Sequence, residues 1–422
     1  MPNPERGNKP NKTFILAFAL VASLVALWGF GHRLHDTLVP VFGDVFQLHG
    51  LRLTLITNVY NFVYVVGALP AALYARRFGY KATILLGLGL VAVGAFTFYP
   101  AAETLAFRYY LIATICMAQG WLVLEVAANP LFAAWGSTER AVFRLNLAQC
   151  LFPLGALVGI FVANWLLEHN LALPQEAAAY AVAHPYIVLG ACVLLLAFVF
   201  EETKFPSVAE IRIPGLNGIG REIKGLMAQP RMRTALAAQF FGIVAVGMDW
   251  SVTADAVRRG IPYLTFLQPH DTIVLFMSLF GIGRLIGTPL MLRIAPATVL
   301  LIFGLLGIVS AAIAAVPVSS FAVLGVLGLG IALSLTWPTI LGLAIQGFGQ
   351  EMKVATALLT IAGALGAVIS QITLLAVGGL SNAAEMAIAA LSIAVIVYYA
   401  WACGKPNASQ TNRVVPRNNW FF

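Results

Sequence analysis

Within GFGHRLHDTLVP, residues 29–40, two imidazoles, a guanidinium and a carboxylate arrive in quick succession as His32, Arg33, His35 and Asp36. Such a set can do several kinds of chemistry. A carboxylate in a partly dehydrated cavity can take up a proton and release it to whichever side the cavity opens toward. His32 at i−4 and Arg33 at i−3 share a helical face with Asp36, and a persistent Arg33 pair would favour its charged form. Two histidines and a carboxylate also make a metal set. Only His32 and Asp36 share a face, however, and three ligands from one turn are awkward, so no metal is expected. For His35 a plainer role is open: capping a kink ahead of Pro40 and facing the outer vestibule.

A second constellation lies in AQGWLVLEVAANPLF, residues 118–132, where helical spacing puts Trp121, Glu125 and Asn129 on one stripe. An aromatic platform, a carboxylate and an amide suit a sugar, which offers an apolar ring face and hydroxyl groups. The alternative is a Glu125 that hydrogen-bonds across helices to hold a bundle together. RLNLAQ adds Asn146 and Gln149 one turn apart, with Arg144 near a boundary. Asn58, Asn61 and Tyr64 follow at three-residue steps with Tyr60 beside them; interhelical bonding explains such amides as well as a binding site does. Asp249 stands next to Trp250 as a second titrating group or a polar contact at a rim. Arg284, in GIGRLIGT, is expected to lock the inner ends of the second half.

The elements that must position these residues follow from composition. Of 422 residues, 60% are hydrophobic and only 10% charged, against about 25% charged in soluble proteins. Runs of roughly 20 apolar residues recur, each long enough to cross a bilayer, and lipid forces them into helices. The expected fold class is an all-α integral membrane protein with twelve transmembrane helices in two six-helix halves. Spans are expected near 13–40, 51–75, 81–100, 105–132, 141–167, 180–200, 234–256, 271–292, 295–316, 319–344, 352–378 and 382–402. An ionisable side chain at bilayer depth costs about 2.5 to 3.5 kcal/mol, so Asp36, Glu125 and Asp249 read as functional by default. The first run is read as retained, since it is too long for a signal-peptide core and lacks a clear cleavage site.

With both termini inside, nineteen of the 25 lysines and arginines fall in inner segments, while the outer ones hold Arg52, Arg108, Arg258 and Arg259. That asymmetry places the amino end in the cytoplasm. It also accounts for the net charge of +8 through topology and anionic lipid, and no basic groove points to nucleic acid. The polar stretch 201–233 divides the chain into halves at 1–200 and 234–402, followed by a tail at 403–422. A short amphipathic helix is expected near 218–228. Weak internal echoes pair Pro130 with Pro338 and Asp36 with Asp249. Cys116, Cys150, Cys192 and Cys403 show neither disulfide nor zinc spacing. No H-E-x-x-H or G-x-S-x-G motif suggests an enzyme.

The chain resembles the fucose/proton symporter family of the major facilitator superfamily, which includes bacterial fucose, glucose/galactose and N-acetylglucosamine transporters. The likeness rests on LWGFGHRLHDTLVPVF, GALPAALYARRFGYK, LEVAANP, RLNLAQ, GRLIGT and WPTILGLAIQGFG. It implies alternating access, with Asp36 taking the coupling proton and Glu125, Asn129 and Gln149 meeting sugar hydroxyls. Trp121 and Asn61 join the expected substrate site on their spacing, and His32, Arg33, His35 and Asp249 are candidate modulators. Where the family usually has amides before the aspartate, this chain has His32, Arg33 and His35. It has Phe152 where Asn is frequent, and Asp249 where an apolar residue is usual.

The expected function is a proton-coupled sugar importer of the bacterial inner membrane, working as a monomer in lipid without a cofactor. The competing reading is a carrier of an anionic or modified sugar whose negative group meets Arg33.

Overall fold

The computed structural model describes residues 12–48, 51–170, 174–205, 218–258, 271–316, 320–376 and 381–405. Most of the tail from 403 onward and the middle of the linker, with Arg6, Lys9, Arg212, Arg259, Arg413 and Arg417, lie outside them, as do the side chains of Arg52, Trp250 and Arg258. Regular structure among the described residues is helical. The first half comprises α1 (Lys12–Val45), α2 (Leu51–Phe78), α3 (Tyr80–Thr104), α4 (Phe107–Ala134), a 3-10 turn at Thr138–Arg140, α5 (Ala141–Gln149), α6 (Leu151–Asn170) and α7 (Gln175–Glu202). After α8 (Ile219–Ala228) the second half holds α9 (Pro230–Arg258), α10 (Asp271–Leu290), α11 (Pro296–Ala314), α12 (Ser320–Leu333), α13 (Thr336–Ile345), α14 (Met352–Ala376) and α15 (Asn382–Gly404).

Nine described stretches are long and apolar enough to cross a membrane, and two of these, Thr138–His169 and Ala322–Ile345, each contain two helices in line. With α2, α9 and α10 they make twelve spans. Large apolar side chains such as Leu391, Phe62, Leu195 and Phe198 stand exposed on the outside, as lipid-facing residues should. The amphipathic helix of the linker is α8, which packs on α9 and α14.

Packing repeats between the halves. In the first half the first span (α1) packs on the fifth (α6), the third (α3) on the fourth (α4) and sixth (α7), and the second (α2) on the fourth. Adding six to each number gives the pairs of the second half: α9 with α14, α11 with α12 and α15, α10 with α12. Across the halves, α2 meets α14 while α10 meets α5 and α6, again an exchange-symmetric pair. The helices come this close through glycine. A Cβ on Gly155 of α6 would sit 1.8 Å from the Ala26 carbonyl oxygen of α1, and one on Gly159 would sit 2.4 Å from that of Phe30. Small residues at such crossings let backbones touch, which in lipid supplies much of the association energy.

Two spans expected to be continuous are broken, the fifth at Cys150 and the tenth at Ser334 and Leu335. The physical cause is proline. Pro153 has no N–H to give the carbonyl of Gln149 four residues earlier, and Pro338 none for Ser334. Arg144, expected merely to mark a boundary, is buried and caps the end of α4. Its guanidinium donates to the carbonyls of Phe132 (3.2 Å) and Ala133 (3.0 Å), groups that a helix terminus leaves without partners, and to that of Ser137 (2.8 Å) in the turn that follows.

Because the neighbour at Gly155 is backbone and cannot yield, Gly155→Ala should destabilise the α1–α6 crossing by about 1–3 kcal/mol. Gly225, on α8 with nothing within 4 Å of a Cβ, should accept alanine without loss. Thermal unfolding of the purified protein in detergent checks the pair; equal melting temperatures would contradict the close approach.

Candidate functional site

In the far third of α1 the charged turn closes on itself. Asp36 Oδ2 receives both Arg33 Nη1 and His32 Nδ1, each at 3.1 Å, and 37% of the Asp36 side chain and 30% of the His32 side chain remain accessible. The spacing put His32, Arg33 and Asp36 on one face, and the structure brings all three to a single oxygen. Facing the outer vestibule is the part of the His35 reading that fails. His35 is buried among Phe42, Tyr60, Phe98, Tyr110 and Tyr186, with Nδ1 3.3 Å from the Tyr186 hydroxyl. A helix neighbour at i−1 to an exposed acid points about 100° round the helix, here into the core of the first half.

On α4, Glu125 and Asn129 stand one turn apart and buried, and Gln149 Nε2 of α5 donates to Asn129 Oδ1 at 2.9 Å. Both Glu125 carboxylate oxygens and Asn129 Nδ2 are buried without a hydrogen-bond partner. So are Trp28 Nε1, Trp121 Nε1 and the hydroxyls of Tyr60 and Tyr64. The Tyr64 hydroxyl lies near both Glu125 and Trp28 Nε1, yet none of these contacts reaches hydrogen-bond geometry. Buried polar atoms left so cost about 1–3 kcal/mol each, and such a set on neighbouring helices can bind a guest that supplies the missing donors and acceptors. Trp121 is wholly buried, and a Cβ on Gly31 of α1 would fall 2.4 Å from its ring, so in this conformation it backs the site. Asn61 is half-buried on α2. Asp249 is fully buried on α9, whose main partners are α14 and α15. Asn146 accepts from the Thr339 hydroxyl of α13 at 3.2 Å, a contact between the halves.

Arg284 does more than lock the second half. Its Nε donates to the Ser334 carbonyl at 3.0 Å, and its Nη1 donates to the Gln149 carbonyl and approaches Gln149 Oε1 at 3.4 Å. These are the two carbonyls that Pro338 and Pro153 release. The bridging role of Arg284 goes beyond the sequence reading; a proline four residues after each acceptor is the signal in the sequence that marks it. The guanidinium also lies over Phe280 and Phe152, and Phe152 packs on Trp28.

Further contacts close the end that carries the basic loops. Lys353 Nζ donates to the Ala75 carbonyl at 2.9 Å, Gln346 Nε2 to that of Thr138 at 2.9 Å, and Arg76 pairs with Glu222 of α8 at 2.9 Å. The halves are therefore joined at this end, and the charged turn of α1 sits toward the other. Among the described residues no cluster of histidine, cysteine and carboxylate groups suits a metal.

The model of the Major Facilitator Superfamily matches residues 13–371. The L-fucose-proton symporter of Haemophilus influenzae is 31% identical over 379 residues, covering 83% of this chain and 86% of that one. The glucose/galactose transporter of Brucella abortus is 31% identical over 363 residues, covering 85% and 87%. The crystal structure of the transporter FucP in its outward conformation superimposes with a TM-score of 0.84 at 28% identity, covering 94% of this chain and all of that one.

Arg284→Met would leave two buried carbonyls without donors and weaken the closed end. Cys150, buried with Sγ 3.5 Å from the Thr288 hydroxyl, reports on it. With Cys116, Cys192 and Cys403 replaced by serine, maleimide labelling of Cys150 should accelerate by roughly tenfold, the equivalent of one lost hydrogen bond of about 1.4 kcal/mol. Unchanged labelling would mean that the arginine does not hold the halves together.

Proposed function

The chain belongs to the major facilitator superfamily, a family of membrane transporters rather than enzymes, and on that premise we propose that it is a proton-coupled importer of a monosaccharide such as fucose, glucose, galactose or N-acetylglucosamine. The observation that carries the reading is the pairing of Gln149 with Asn129 one turn from a buried Glu125. Amide donors, a carboxylate acceptor and the nearby Tyr64 hydroxyl and Trp28 indole match the alternating donors and acceptors of a sugar. The curated relatives support it, being named for L-fucose-proton symport and glucose/galactose transport.

The sugar enters from the open end, meeting Glu125, Asn129 and Gln149, with Asn61 at the side and Trp121 behind. Asp36, with His32 and Arg33 on the same oxygen, forms the charged turn that exchanges the coupling proton. Engaging Gln149 draws on the same side chain that Arg284 approaches, so substrate competes with a contact of the closed end. A ligand shifts the equilibrium between outward and inward forms only by its different affinity for each, and the proton gradient gives the cycle its direction. In this reading the protein is a monomer of the bacterial inner membrane with both termini in the cytoplasm, where the basic loops belong. The anionic-sugar alternative is not favoured, because Arg33 is already engaged by Asp36.

Reconstituted protein in liposomes with an inward proton gradient should accumulate one or more neutral hexoses, deoxyhexoses or amino sugars, with alkalinisation of the medium when the sugar is added. Asp36→Asn should abolish uphill accumulation, and Glu125→Gln should weaken sugar affinity by at least tenfold, the size of a hydrogen bond to a charged group at about 1.5–3 kcal/mol. Both variants accumulating sugar as well as the parent would refute the scheme.

A further inference from the structure

His32 occupies a position where the family this chain resembles usually carries an amide, and its geometry gives it work. Asp36 Oδ2 is shared by a permanent cation, Arg33, and by the His32 imidazole, each at 3.1 Å. We propose that in this chain the coupling proton rides on His32, with Asp36 as its fixed counter-charge; the inference rests on the proton-coupled reading above and assigns the atom that carries the charge.

A carboxylate oxygen already accepting from a guanidinium is a poor place for a proton. An imidazole against that same carboxylate is a good one, since its charged form gains an ion pair that its neutral form lacks. With Nδ1–H directed at Asp36, the lone pair of Nε2 is the basic one. It takes a proton from hydronium, leaving water, and returns it to water when the site faces the other side. Ring and carboxylate are both partly accessible. The protonated turn carries one net positive charge and the unprotonated turn none. Among the described residues, the other ionisable side chains on packed elements near this turn are His35 on α1, Tyr60 and Tyr64 on α2, Tyr110 and Glu125 on α4, and Tyr186 on α7. Of these, the Tyr60 ring lies beside His32, with centroids 5.4 Å apart. The adjoining stretch of α6, Leu151–Leu167, presents no ionisable group.

The test uses the full chain. Nitrogen-15 histidine spectra of the protein in lipid nanodiscs, with the His32 signal identified by its loss in His32→Asn, should show that ring gaining its second proton over the same range of pH in which uphill uptake by the parent changes. In liposomes, His32→Asn should push the pH for half-maximal uphill uptake more than one unit toward acid. His32→Asn combined with Arg33→Asn should bring it back toward neutral, because Asp36 is then free to take the proton itself. A His32 ring that does not titrate in that range, or a His32→Asn profile identical to the parent's, would overturn the assignment while leaving transport intact. Absence of any proton-driven accumulation by the parent would instead bring down the transport reading, and this inference with it.

Discussion

One guanidinium holds together the two places where the membrane helices break. Proline removes a backbone donor, so Pro153 and Pro338 each strand a carbonyl four residues upstream, at Gln149 and Ser334. In lipid such a group has no water to turn to. Arg284 answers both, and the two carbonyls belong to opposite halves. The arrangement ties the cost of two broken helices to a single inter-half contact, so the halves cannot part at this point without exposing polar backbone to a dry interface. A protein that must alternate between two shapes needs contacts that exist in only one of them, and a charge satisfied across the interface is such a contact.

The polar groups sort by depth and by partner. Those at the basic end act as closures: Lys353 and Gln346 bind backbone across the halves, and Arg76 pairs with Glu222 of the linker helix. Those in the middle, Glu125, Asn129, Trp28 and Tyr64, keep unsatisfied atoms in the interior of the first half, the condition of a site whose hydrogen bonds await a substrate. The charged turn of α1 lies beyond them and keeps part of its surface accessible. Gln149 belongs to two of these sets at once, donating to Asn129 and lying beside Arg284. In the proposed cycle sugar binding and closure share this residue, which gives one a physical route to influence the other.

Phe152 gives the site its individual character. It packs on Trp28 with ring centroids 4.9 Å apart and lies under Arg284, so the wall next to Gln149 is aromatic. Such a wall excludes one set of hydroxyl contacts and offers an apolar surface to a ring face or a methyl group.

Sequence alone determined the membrane class, the twelve spans, the two halves and the polar residues worth watching, because lipid enforces helices and charges are costly within it. Helical periodicity was enough to align Glu125 with Asn129 and to put His32, Arg33 and Asp36 on one face. Only the tertiary structure decided which of these meet residues from other helices. Nothing local could show that Gln149 reaches Asn129, that Arg144 caps α4, or that His35 turns into an aromatic core. Each depends on how helices distant in the chain cross, and those crossings are set by glycine contacts such as Gly155 on Ala26, where van der Waals fit rather than hydrophobicity selects the partner. The double role of Arg284 is the clearest case: its two proline signals are 185 residues apart in the chain and become one site only when the halves close.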